Sequence, residues 1–242
     1  MQYDAPRCLD MGETALTVEF GDGVDPAINA RALALDAALR ARAPAGVVET
    51  VPTYRSLTIH YEPLTLARGE LVALVESLTP PAGVAADPTA RWIVPCCYDP
   101  ALAEDIETLA SVLGYSAGAV AALHSGADYR AYMYGFAPGW LYLGGLPHEL
   151  AAPRRAGPRG PTPPGAVLVG GGLSLIAADP MPTGWYVVGR TPERLFSLDR
   201  EPPFLVAPGD AIRFESIDRV VFDALEARAA RGEIVARREA LS

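Results

Sequence analysis

The chain has 242 residues, half of them hydrophobic, a formal net charge of −9, and arginine at all 20 of its cationic side chains. With no lysine, a G-x-x-x-x-G-K-[ST] phosphate loop, a lysine Schiff base and a kinase-type catalytic lysine are excluded from this chain. The acidic balance argues against general nucleic-acid binding, and the length suits one large domain or two small ones.

Ala15–Phe20 alternates apolar and polar residues and reads as a strand. Asp25-Pro26 then gives an N-cap followed by proline at the first helical position, with Ile28, Leu35 and Leu39 on one helix face. Val47–Val51 and Ser56–Tyr61 read as strands, Leu66–Leu78 as a second amphipathic helix, Pro80–Gly83 as a loop and Arg91–Cys97 as a further strand. The order β-α-β-β-α-β is that of a ferredoxin-like unit. A second N-cap signal at Asp99-Pro100 predicts a helix to Leu113, and Ser116 starts a shorter one to about His124. Together they form a helical connector, with Asp105 and Glu107 on its solvated face.

Beyond His124 the texture changes. Tyr129–Phe136 reads as a strand, and glycine and proline become dense. Short apolar runs lie between them at Ala166–Val169, Leu173–Ala177, Trp185–Val188, Arg194–Phe196 and Ala211–Phe214. Many short strands between Gly/Pro turns indicate a β-barrel or sandwich. A helix at Val220–Ala230, capped by Asp218, closes the pattern. The expected fold class is α+β. Residues 1–88 form an N-terminal α/β domain, and residues 89–242 hold the barrel and its helical connector.

Three cysteines, two of them adjacent at Cys96-Cys97, form neither a disulfide framework nor a C-x-x-C metal site. No basic segment leads into an apolar stretch at the start, and no run of 18 apolar residues exists, so the expectation is a cytoplasmic protein without a membrane span. The loop Pro153-Arg154-Arg155 to Pro158-Arg159 is the strongest local anion-site candidate, because proline stiffens it and arginine offers a planar fork. A solvated basic patch explains it equally well. His124 ends a helix, where a capping role is the plainer explanation. Gly135, Gly139, Gly144 and Gly145 around Pro138 allow close backbone approach to a ligand, or tight barrel corners.

Several segments in order resemble one family: GETALTVEFGD, DPAINARALAL, GVVETVPTYRSLTIHYEP, VPCCYDP, ALHSGADYRAYMYGFAPGWLYLGGLP, PRRAGPRGPTPPGAV, TGWYVVGRTPERLF and APGDAIRF. It is the family of the B-type component of bacterial 5-oxoprolinase, which includes the sporulation-kinase inhibitor KipI, allophanate hydrolase subunit 1 and half of the carboxyltransferase domain of urea carboxylase. The resemblance implies a C-terminal cyclophilin-like β-barrel after the N-terminal α/β domain. It implies ATP-dependent opening of 5-oxoproline to glutamate, with ATP as a co-substrate shared with partner proteins and no bound metal. The implied partners are a KipA-like C-type component and an A-type component, and the substrate is a small amide or lactam. It also leaves open a histidine-kinase inhibitor of the KipI type or a urea carboxylase-like carboxyltransferase half.

Carried over by position, the resemblance gives His124, Arg154 and Arg159 as catalytic. It gives Tyr54, Gly135, Phe136, Pro138, Gly139, Gly171, Trp185 and Arg190 as substrate- or nucleotide-binding. One stretch departs. Leu173 to Ala178 reads L-S-L-I-A-A where the family pattern is Q-T-G-I-Y-P. That change points to a different substrate or a regulatory role.

Overall fold

The computed structural model describes residues 1–81, 88 and 90–241. The chain divides into two units, Met1–Asp87 and Pro88–Ser242. Gly83, at the end of the loop expected from Pro80, lies outside the described residues.

The first unit is a four-stranded antiparallel sheet under two helices. Its strands are β1 (Gln2–Asp10), β2 (Ala15–Gly21), β3 (Val47–Pro52) and β4 (Ser56–Tyr61), in the order β1-β2-β4-β3. The helices are α1 (Pro26–Arg42) and α2 (Arg68–Leu78). Leu16, Val18, Phe20, Leu57 and Ile59 of the sheet share a core with Ile28, Leu35, Leu39, Leu71 and Val75 of the helices. Asp25 caps α1 as expected, its carboxylate accepting from the Ala27 and Ile28 N–H groups at 2.8 and 3.2 Å.

The fourth strand of this sheet is not the expected Arg91–Cys97 but β1, which sequence periodicity misses. Its residues are mostly exposed, Pro6 interrupts it, and its register shifts between Gln2 and Arg7. Such marks belong to an edge strand, whose outer backbone groups have no neighbouring strand to pair with. The buried Arg31 of α1 helps hold it, donating to the Tyr3 and Asp4 carbonyls at 2.6 and 3.3 Å.

In the second unit β5 (Ala90–Cys97) precedes α3 (Ile106–Leu113) and α4 (Ala117–Ser125). Then follow β6 (Asp128–Tyr134), β7 (Leu141–Gly144), β8 (Ala166–Gly170), β9 (Leu173–Ile176), β10 (Tyr186–Arg190), β11 (Ala211–Ile217), α5 (Arg219–Ala229) and β12 (Arg237–Ala240). The strand order β10-β8-β9-β7-β6-β11-β5 closes through Arg190 and Cys97 into a seven-stranded barrel, and β12 adds to the free edge of β5. The β5–β11 pair is parallel, and the others are antiparallel. Val94, Leu141, Leu143, Val167, Val169, Ile176, Val188 and Ile212 fill the interior together with Ile106, Leu109 and Val120 of the helices.

The connector helix begins at Ile106 rather than Pro100, since residues 100–105 form turns and Asp105 is the N-cap. Arg194–Phe196 is not a strand; Phe196 makes only an isolated bridge to Phe204. No single helix among the described residues is long and apolar enough to cross a membrane. The α3–α4 pair reaches that apolarity only across a 95° bend, with its apolar residues in the barrel core.

Candidate functional site: an arginine over an aromatic trough

The turn between β6 and β7 carries the G-F-A-P-G segment. Gly139 has φ +74°, and a Cβ there would lie 2.4 Å from the Phe196 Cβ and 2.7 Å from the Ala178 Cβ, so only glycine fits. Phe136 adopts φ +69° although it is bulky, a conformation that costs free energy and is retained where the surroundings impose it. The residue is 65% exposed, and its ring centroid lies 5.1 Å from that of the buried Trp140. Trp140 is fixed by its indole N–H, which donates to the Asp179 carbonyl at 3.2 Å.

These two rings, with Tyr142, Leu175 and Trp185, line a shallow cavity of about 260 Å³ that also takes in Arg154, Pro158 and Thr183. The Arg154 guanidinium sits 5.6 Å from the Trp185 ring centroid, within cation–π range. Among the described residues no carboxylate pairs with it. Gly171, at φ +60°, and Gly184 border the Arg154 side chain. The trough therefore offers one uncompensated cation above an apolar, aromatic floor, which suits a small flat molecule bearing an anionic group.

The neighbouring arginines of the same loop are already paired. Asp105 accepts from Arg155 at 2.8 Å and from Arg159 at 2.6 Å, and Glu104 also accepts from Arg159. Asp105 is further tied to β10, its carboxylate taking the Val187 N–H at 2.9 Å while its own N–H donates to the Val187 carbonyl. The Pro-Arg loop is thus clamped to the start of α3 and to the barrel wall. Asp105 is not the solvated residue expected from its position; it is buried and joins three elements. Its signal was available in the apolar spacing that begins at Ile106, which makes it a competing N-cap. Its arginine partners are some 50 residues away and carry no local signal.

His124 is fully buried at the end of α4. Tyr98 Oη lies 2.9 Å from Nδ1 and Ser174 Oγ 3.1 Å from Nε2. Ser174 spends its own proton on the Leu168 carbonyl at 3.1 Å. Its oxygen therefore accepts from Nε2–H, and Nδ1 accepts from Tyr98. Both ring nitrogens are satisfied by a neutral imidazole. Burial pushes its pKa down to about 3. The rings of Tyr129 and Phe214 pack 5.2 and 4.7 Å from it. A ring so enclosed reaches no ligand directly; it ties α4 to Tyr98, just after β5, and to β9.

The structure therefore gathers Phe136, Arg154 and Trp185 at one trough, with Gly171 bordering it and Gly135, Pro138 and Gly139 shaping the turn that presents Phe136. It separates His124, Arg159 and Arg190 from that trough. Arg159 is committed to Asp105 and Glu104. Arg190 donates to the Pro164 carbonyl at 2.9 Å and to Glu226 at 2.8 Å, and it lines a different cavity of about 400 Å³. Tyr54 belongs to the first unit, in the turn between β3 and β4. Among the described residues no group of three His, Cys, Asp or Glu side chains is placed to hold a metal.

The departing stretch Leu173–Ala178 now has a location. Ser174 stands where the family pattern has threonine and keeps the hydroxyl that holds His124. Leu175, in the glycine position, forms part of the trough floor, while Ala177 and Ala178 line the Arg190 cavity. Leu175 thus faces the trough while Ser174 beside it keeps the buried hydrogen bonds behind the strand.

Comparison with known proteins gives consistent matches. The family described as carboxyltransferase domain, subdomain C and D, matches residues 6–206. The B-type component of the 5-oxoprolinase of Escherichia coli O157:H7 is 36% identical over 213 residues, spanning 86% of this chain and 94% of the relative. The crystal structure of TTHA0988 is 38% identical with a TM-score of 0.76 over 84% of this chain, which spans only 40% of that longer one. The urea carboxylase of Kluyveromyces lactis shares the fold, with a TM-score of 0.79 at 18% identity, over 97% of this chain and 24% of that one.

Proposed function

This chain belongs to the carboxyltransferase domain, subdomain C and D, family that includes the B-type components of 5-oxoprolinases, and from that membership we propose that it is the B-type component of an enzyme opening 5-oxoproline or a closely related lactam at the expense of ATP. It works with a C-type component, KipA-like, and an A-type component. The observation that carries the reading is the unpaired Arg154 guanidinium over the Trp185 ring.

In this reading Arg154 takes the carboxylate of the lactam by a charge-assisted fork. Phe136, Trp140 and Trp185 cover the ring and keep water from it. Arg159 and His124 act behind this surface, the first by fixing the loop and the second by fixing β9. ATP supplies activation of the lactam carbonyl oxygen when bound. The trough does not fit its triphosphate, because two of the three loop arginines are already neutralised. No phosphoryl step runs through these residues.

The test is reconstitution with the C-type and A-type components and measurement of 5-oxoproline-dependent ATP hydrolysis. Arg154→Gln is expected to raise KM for 5-oxoproline at least tenfold. An unchanged KM would sink the site, and no lactam-dependent turnover would sink the reading. The family match and the urea carboxylase fold support a second reading, a carboxyltransferase half. Turnover that depends on a carboxybiotin carrier rather than on 5-oxoproline would favour it.

A further inference from the structure

The Pro-Arg loop carries three guanidinium groups, at Arg154, Arg155 and Arg159, and Arg154 is the one that lines the trough. Left alone, such a set of cations would attract the most highly charged anion available, since attraction grows with charge on both sides. Two carboxylates face it. Asp105 engages both Arg155 and Arg159, and Glu104 engages Arg159 from the outside. The five groups together carry one net positive charge, and it resides on Arg154, which lies over the Trp185 ring and pairs with no acid among the described residues.

We propose that Asp105 and Glu104 determine the charge selectivity of the trough: by occupying Arg155 and Arg159 they restrict it to a flat-bodied monocarboxylate and make it reject polyphosphates. This rests on the trough being a ligand site and goes beyond it by naming the residues that choose the ligand's charge. Neither acid touches the ligand. Asp105 is a specificity-determining and positioning residue, holding the loop to Val187 of β10 as well as cancelling its charge. Glu104 is 43% exposed at its side chain and contributes the smaller, outer share.

Labour is thereby divided within the assembly. A site with one free guanidinium and an apolar floor favours a carboxylate whose body is hydrophobic or weakly polar. A pyrophosphate or triphosphate would meet one cation and a wall of aromatic carbon, the other two loop arginines being held on their carboxylates. Phosphoryl groups are then handled by surfaces other than this loop.

The experiment is titration of the full chain with benzoate and with inorganic pyrophosphate, followed by tryptophan fluorescence at fixed ionic strength, since screening would otherwise blur the comparison. Wild-type protein is expected to bind benzoate more tightly than pyrophosphate. Arg154→Gln should abolish benzoate binding. Asp105→Asn, which keeps an acceptor for Val187 but removes the charge, should shift the affinity ratio toward pyrophosphate at least tenfold. Glu104→Gln, at an exposed position that folding does not depend on, should shift it the same way by a smaller factor. That variant decides the matter if Asp105→Asn does not fold. A purely structural role for the acids would weaken both probes together. The proposal is overturned if wild-type protein binds neither probe, if it prefers pyrophosphate, or if the ratio stays fixed in the folded variants. Charge selectivity without 5-oxoproline turnover in the reconstituted enzyme would remove only the lactam reading.

Discussion

Two polar clusters lie at opposite ends of the α3–α4 connector, and they solve the problem of burying polar atoms differently. At the start of α3, Asp105 gathers full charges: two guanidinium groups and a backbone N–H meet one carboxylate near the surface. At the end of α4, His124 gathers neutral groups, with both ring nitrogens satisfied by hydroxyls in a dry interior. Near the surface, solvent lowers the cost of charge, so ion pairs can form and still leave a spare cation for a ligand. Deep inside, charging the ring would cost far more than its hydrogen bonds return, so the ring stays neutral. One cluster can be a recognition device, and the other is a fastening.

The contrast can be broken most severely at His124. His124→Ala removes the acceptor of Tyr98, the donor to Ser174 and the ring packed on Phe214, and should destabilise the barrel by about 3 kcal/mol. Urea unfolding at neutral pH measures it; a loss below about 1 kcal/mol would contradict the fastening role.

The next effect is in pH dependence. The folded state holds His124 neutral, with a pKa of about 3, whereas the unfolded chain protonates it near its usual value. Its contribution is therefore fully present above about pH 6.5 and is lost as pH falls toward 3, by about 1.4 kcal/mol per unit. In His124→Gln this one-proton component should vanish between pH 6 and 4. A variant that keeps the wild-type slope would assign it to other groups.

The smallest effect separates two arginines of one loop. Arg159→Gln strips a partner from the buried Asp105 and should cost about 1–2 kcal/mol, whereas Arg154→Gln should change stability by less than about 0.5 kcal/mol. Parallel thermal melts of the two variants decide it, and equal losses would erase the distinction between the structural and the free arginine.

Much of the fold was legible in the chain. The α1 cap at Asp25, the α4 cap at Ser116, strand β4 at Ser56–Tyr61 and the Gly/Pro-punctuated barrel strands all follow from local chemistry. Strands β1, β7 and β12 were not, because two are short and the exposed ones carry no alternation to read. The destination of Ala90–Cys97 was also hidden. A run buried on both faces can end one sheet or begin another, and only its parallel pairing with β11 and closure with β10 place it in the barrel.

The site divides along the same line. The arginine-only composition and the G-F-A-P-G and Pro-Arg segments determined that any anion here meets guanidinium and backbone groups, beside a glycine-shaped turn. Which guanidinium is free was decided by tertiary structure alone. Arg154 and Arg159 each follow a proline and look alike in sequence, and they differ because Asp105 and Glu104 reach Arg159, as Asp105 reaches Arg155, and not Arg154. A charge is available to a ligand only where no nearer partner has taken it, and the nearest partners in this protein come from across the fold.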